Sequence, residues 1–266
     1  VILLSAADPD KIDVLHHLLD SPTFFGMDLS HLELFGIPMG ITKHVWLMWV
    51  ASVLLILLAN VAARQGGIVP RGLRNFLEPV LLFLRDEVAV PNFHEKADRY
   101  LPYLWTLFFF ILFCNLLGLV PGGATATANL SVTAGLAVIS FFAIHFIGVK
   151  ENGLVPYIRS IVPPVPAWLF PVLLVVEIVG ILTKPFALAV RLWANMNGGH
   201  IIILVLLGFI FMVKNAGLFV QGPVIGVSVA AATAIYFLEI FVALLQAFVF
   251  TFLTAVFIGM AAHPEH

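Results

Sequence analysis

Residues 167–213 form a stretch of 47 in which Glu177, Lys184 and Arg191 are the only Asp, Glu, Lys or Arg. As one helix it would be about 70 Å long, over twice the roughly 30 Å of a bilayer's hydrocarbon core. Only Gly198-Gly199 resembles a turn inside it, and Pro171 and Pro185 at most kink a helix. The chain must therefore either turn back as a hairpin or cross as one long, steeply tilted helix, and the tilted helix is the expectation. After a break at Lys214, Asn215 and 217–223, residues 224–262 make a second run of the same kind.

Such runs exclude a water-soluble core. Hydrophobic residues are 61% and charged residues 11%, against roughly 25% charged in soluble domains. Unpaired backbone groups are costly in hydrocarbon, so the spans must be helical. The fold class is an all-α polytopic membrane protein with about five crossings and one interfacial helix. A net charge of −2 argues against a nucleic-acid partner. The single Cys114 permits neither an internal disulfide nor a thiol metal set. No GxxxxGK[ST] loop is present, so neither nucleotide chemistry nor a cofactor is expected.

Ahead of these runs, residues 1–43 carry six acidic residues against Lys11 and Lys43. They read as an extramembrane arm with a short amphipathic piece around 12–19. Adjacent His16 and His17 point to different helix faces, as solvated surface does. Residues 44–63 are long enough to span. Residues 64–99 hold Arg64, Arg71, Arg74, Arg85, Lys96 and Arg99, which places them on the inner side of the membrane. Within them, Leu73, Phe76, Leu77, Val80 and Leu84 recur at helical spacing, which predicts an interfacial amphipathic helix over 72–90. Residues 100–120 and 130–149 are further spans, separated by Pro121-Gly122-Gly123, and Pro163, Pro164 and Pro166 stop the chain before the long runs. Residues 44–266 are thus the membrane domain, with the amino end outside and the carboxyl end inside. No internal repeat is visible, which counts against an inverted-repeat transporter.

Ionisable side chains within apolar runs are functional candidates by default. Glu177, Lys184, Arg191 and Asn195 are spaced 7, 7 and 4, one narrow stripe of a helix, with Thr183 beside it and His200 on roughly the opposite side. On the second run Glu239 and Gln246 share a face, with Tyr236 alongside. Laid antiparallel, the runs bring His200 near Glu239 toward the outer side and leave Glu177 toward the inner side. With Arg191 set level with Gln246 near the middle, two polar clusters sit at different depths with an arginine between them. A His–Glu pair suits proton transfer near neutral pH. An arginine cannot escape burial by deprotonating, so it needs a partner, a wet cavity or a job for a permanent charge. The plainer readings are an Arg191 bridge to Glu177 or Glu239, hydrogen-bond glue from Asn195 and Gln246, a satisfied His200–Glu239 pair, a snorkelling Lys184, and packing roles for Asn115 and His145.

The segment Thr183-Lys184-Pro185-Phe186-Ala187-Leu188-Ala189-Val190-Arg191-Leu192-Trp193-Ala194-Asn195-Met196-Asn197-Gly198-Gly199-His200 resembles the core of subunit a of the F-type ATP synthase. Residues 245–250, Leu-Gln-Ala-Phe-Val-Phe, resemble its second signature, and residues 115–121, Asn-Leu-Leu-Gly-Leu-Val-Pro, a third. The resemblance implies a non-catalytic, proton-conducting stator subunit whose long helices pack against a rotating ring of c subunits, alongside a peripheral stalk and other membrane-sector subunits. Arg191 matches the essential arginine that faces the ring carboxylate. Asn195, His200, Glu239 and Gln246 match the outer half-channel, to which Asn115 is added, and Glu177, Thr183 and Lys184 match the inner one. The order of His200 and Glu239, with a chain that starts at Val1 rather than Met, favours the mitochondrial inner membrane over the alternative, a bacterial plasma membrane. The competing class is a stand-alone transporter or channel.

Overall fold

The computed structural model describes residues 23–24, 27–28, 33–34, 37–38, 42–64, 72–120, 125–161, 169–213 and 217–262. In the arm, Thr23–Phe24 pairs antiparallel with Met27–Asp28, and Glu33–Leu34 with Ile37–Pro38. The amphipathic piece expected around 12–19, with His16 and His17, lies outside the described residues.

The rest is helical. Helix α1, Lys43–Arg64, is the first expected span. Its polar Ser52 and Asn60 donate back to the carbonyls of Met48 and Ile56, both at 2.8 Å, so neither brings an unmet polar group into hydrocarbon. Helix α2, Leu73–Phe83, continues through a π-helical segment, Leu84–Ala89, into the short turn Val90–Phe93. Its buried seam runs through Leu77, Leu84 and Val88, while Phe76, on the expected apolar stripe, is 72% exposed. An aromatic ring turned outward at this level is what a membrane interface accommodates. Arg85 ties the segment to the start of α3, donating from Nε to Asp98 at 2.9 Å.

Helices α3, Ala97–Gly118, and α4, Leu130–Asn152, are the next two spans, followed by the short α5, Leu154–Ile161. The long run is a single helix, α6, Phe170–Met212, unbroken at Pro185 or Gly198-Gly199. Helix α7, Leu218–Ala262, starts six residues before the expected position and carries Pro223 inside. The expected break is shorter because Leu218, Phe219 and Val220 are apolar and a membrane helix tolerates one proline. At 43 and 45 residues, α6 and α7 are each about 65 Å long. They fit a bilayer only when steeply tilted.

The core forms around α3. Leu104 and Ile111 are fully buried among Leu84, Phe93, Leu188, Leu192, Phe250 and Ile258. Ala243, Ala247 and Ala255 on α7 are fully buried as well. Small residues let helix backbones approach closely, which is how membrane helices gain packing contacts when lipid offers no hydrophobic contrast. Glu151 near the end of α4 receives Lys96, Arg99 and Tyr100 from the segment that opens α3. Asn152 donates to the carbonyls of Ala261 and Ala262 at 3.0 and 3.2 Å. The last carbonyls of α7, which have no partner within their own helix, are thereby satisfied by α4.

Candidate functional site

Three contacts set the register of α6 against α7. Lys184 Nζ lies 5.3 Å from the centre of the Phe257 ring. Asn195 Nδ2 donates to Gln246 Oε1 at 2.7 Å. His200 Nδ1 lies 2.7 Å from Glu239 Oε1. Residue numbers rise along α6 as they fall along α7, the antiparallel arrangement that the short connection requires. The expected His200–Glu239 pair is present. The expected level of Arg191 is corrected: Gln246 meets Asn195, one turn further along α6, and Arg191 stands near the level of Phe250. Asn195 lies five residues before His200 and Arg191 nine, and each differs by two from the seven between Glu239 and Gln246, so spacing alone does not choose between them.

Glu239 is 3% exposed, and neither Oε1 nor Oε2 has a hydrogen-bond partner among the described residues, so its 2.7 Å approach to His200 is a charge contact. Space for it exists because residue 199 is glycine: a Cβ there would lie 2.4 Å from Glu239 Oε1. His200 is held from its other side as well, with Nε2 2.6 Å from the hydroxyl of Thr125. Asn115, fully buried on α3, donates to the carbonyl of Ala243 on α7 at 3.2 Å and accepts from Thr127 at 2.6 Å. Tyr236 donates to the Leu119 carbonyl at 2.7 Å and Asn197 to the Ala128 carbonyl at 2.9 Å. One polar network therefore joins α6 and α7 to the turn between α3 and α4.

Thr125 and Thr127 had no sequence signal beyond a turn rich in small residues. Gly118 shows why the turn closes here, since a Cβ on it would meet Thr125 Oγ1 at 1.8 Å. Glycine followed by Pro-Gly-Gly and two threonines was the available hint.

Arg191 is exposed, and no described residue hydrogen-bonds or ion-pairs with its guanidinium, so the bridge to Glu177 or Glu239 does not form. Exposed apolar side chains are frequent on both helices, among them Phe186 and Trp193 on α6 and Phe241, Leu244 and Leu245 on α7. The inner set is not drawn together. Glu177 is half-buried with no hydrogen-bond or ion-pair partner among the described residues, Thr183 donates within its own helix to Gly180 at 3.0 Å, and Lys184 packs on Phe257. His145 bonds Tyr157 at 2.6 Å and sits edge-on to Phe141, which favours its packing role. Among the described residues no group of three or more His, Cys, Asp or Glu could hold a metal.

Among the described residues, five helices long and apolar enough to cross a membrane, with ionisable side chains buried between the last two, define a multi-pass membrane protein built around an intramembrane polar cluster. Residues 45–259 match the family model described as ATP synthase A chain. The chain is 42% identical to ATP synthase subunit a of Chloroherpeton thalassium, covering 97% of this chain and 79% of that one. It is 43% identical to ATP synthase subunit a 2 of Chlorobaculum tepidum over 95% and 73% of the two chains. It is 47% identical to ATP synthase subunit a of Anaeromyxobacter sp. over 85% and 55%. The chain belongs to the ATP synthase subunit a family and is a membrane-sector subunit of that enzyme. These relatives are bacterial, so the mitochondrial expectation finds no support and the plasma-membrane alternative stands.

Proposed function

We propose that this chain is the proton-conducting stator of a bacterial F-type ATP synthase, working in the plasma membrane against a rotating ring of c subunits. The observation that carries the reading is the contrast between Arg191 and its neighbours. Asn195, Gln246, His200 and Glu239 pair with one another between α6 and α7. Arg191, a permanent charge, stands exposed with no hydrogen-bond or ion-pair partner among the described residues. A charge so placed within a membrane calls for a partner, and a ring carboxylate supplies one.

Protons enter from the outer side through the network of Asn115, His200 and Glu239 and neutralise a ring carboxylate. Once neutral, the carboxyl group can face lipid at tolerable cost, whereas an isolated carboxylate could not. After most of a turn it reaches the inner half-channel, near Glu177, Thr183 and Lys184, and loses its proton. Arg191 stabilises the anion and repels a proton that would pass directly from one half-channel to the other. Each proton crossing gains about 2.3 kcal/mol per 100 mV. Arg85, Lys96, Arg99, Lys150 and Arg159 gather around the α3 start and the α4 end, which supports placing that end inside.

Cysteine cross-linking tests the docking face. The native Cys114 is buried, so Ala194→Cys or Ala187→Cys, both at exposed positions beside Arg191, reports on that face alone. The expected product is a disulfide to a cysteine introduced next to the ring carboxylate. Assembled complexes that give no such product at either position would remove the ring from this face.

A further inference from the structure

Thr125 has no assigned role, yet its hydroxyl is held against the one imidazole of the polar cluster. We propose that Thr125 is a positioning residue for proton transfer at His200, an inference that rests on the stator reading above. It fixes the ring so that Nδ1 faces Glu239, and it answers each change in the ring's protonation by turning its own O–H.

The geometry leaves the imidazole with both nitrogens engaged. Nδ1 lies 2.7 Å from Glu239 Oε1. A carboxylate oxygen at that distance favours the tautomer that carries its proton on Nδ1, although Oε1 is not in hydrogen-bond geometry with it. Nε2 lies 2.6 Å from Thr125 Oγ1. When the ring is neutral with its proton on Nδ1, Nε2 is an acceptor and the hydroxyl donates to it. When the ring gains a second proton, Nε2–H donates and the hydroxyl oxygen accepts. A hydroxyl does both by rotating about one bond; a carbonyl, an ammonium or an aliphatic group can satisfy one state at most. Thr125 is 1% exposed, so when it fails no bulk water stands ready to replace it, and an unmet buried polar group is costly.

Thr125 is also held firmly in place. A Cβ on Gly118 would fall 2.4 Å from Thr125 Cα, so the end of α3 supports its backbone directly. The neighbouring Thr127 bonds Asn115, and the Ala128 carbonyl accepts from Asn197 on α6. The turn is therefore tied to α3 and α6 on either side of the hydroxyl. Its γ-methyl restricts χ1, which keeps the oxygen directed at His200.

The test uses the whole ATP synthase complex in membrane vesicles. Thr125→Val keeps the shape and removes the hydroxyl; Thr125→Ser keeps the hydroxyl and removes the methyl. ATP-driven proton pumping is expected to fall about tenfold in Thr125→Val and to stay within about twofold in Thr125→Ser, the loss of one hydrogen bond to a charged group. Equal pumping in Thr125→Val and the unaltered complex overturns the proposal. So does equal impairment in the two variants, which would assign the position to packing. Solid-state NMR of the isotope-labelled imidazole nitrogens of the unaltered complex, with His200→Gln identifying the signal, gives a readout that needs no Thr125 variant to fold. A neutral ring protonated on Nδ1 at alkaline pH is expected, and one protonated on Nε2 overturns the proposal. Arg191→Ala in the same vesicles reports on the underlying reading: normal pumping there sinks the stator function itself, whatever Thr125 does.

Discussion

A single missing Cβ decides the state of Glu239. Gly199 leaves room for its carboxylate beside His200, and an added methyl would sit 2.4 Å from Oε1. The side chain can swing away, so Gly199→Ala should leave assembly intact while parting Glu239 from His200. Proton flux through the membrane sector should then fall several-fold, and flux assayed beside quantified subunit content separates this from a folding defect. Glu239→Gln should be more severe, because an amide cannot exchange a proton; about a hundredfold loss matches the usual contribution of a positioned acid or base, and near-normal flux would remove Glu239 from the path. Gly118→Ala is different in kind. Its clash is with the backbone of Thr125 as well as its hydroxyl, nothing flexible can yield, and overpacking of this sort costs about 1–3 kcal/mol. The complex should assemble poorly, as blue-native gels would show. Lys184→Met should change pumping by less than about twofold if the ammonium only rests on Phe257.

At the scale of elements, the two long helices were legible because nothing in either run offers the backbone another structure. Their antiparallel pairing followed from the short connection, and the meeting of His200 and Glu239 from that pairing with Arg191 set level with Gln246. The depth of Arg191 did not follow, since Asn195 and Arg191 lie five and nine residues from His200, equally far from the seven between Glu239 and Gln246, and the sequence does not say which of them meets Gln246. The turn carrying Thr125 and Thr127 was illegible for another reason. Periodicity reports which face of a helix is buried, but a turn returns to the site only through the fold. The interhelical cap by Asn152 was hidden in the same way. It closes two carbonyls at the end of α7, so Asn152→Ala should lower stability by about 1–3 kcal/mol for the polar groups left unmet. The measurement is the thermal midpoint of the detergent-solubilised complex, and an unchanged midpoint would mean that water or another group caps those carbonyls equally well.

Across the whole molecule, α3 serves as the central post. It packs the interfacial segment on one side and α6 and α7 on the other, and it carries Asn115 into the polar cluster. Polar groups concentrate between α6 and α7 toward the turn that links α3 and α4, while cationic residues gather at the opposite ends of α3 and α4. Of the Asp, Glu, Lys and Arg residues on α6 and α7, Arg191 alone is exposed, on a face that is mostly apolar. On the proposed function, Arg191 is the barrier between the polar cluster on one side and the inner half-channel on the other. Arg191→Ala in reconstituted complexes tests it most directly, with ATP-driven pumping and passive proton conductance measured on the same vesicles. The account predicts that pumping is lost and that a passive leak appears, because the ring can still exchange protons with both half-channels while nothing keeps them apart. Normal pumping with no leak would contradict it and leave Arg191 without a part in proton transport.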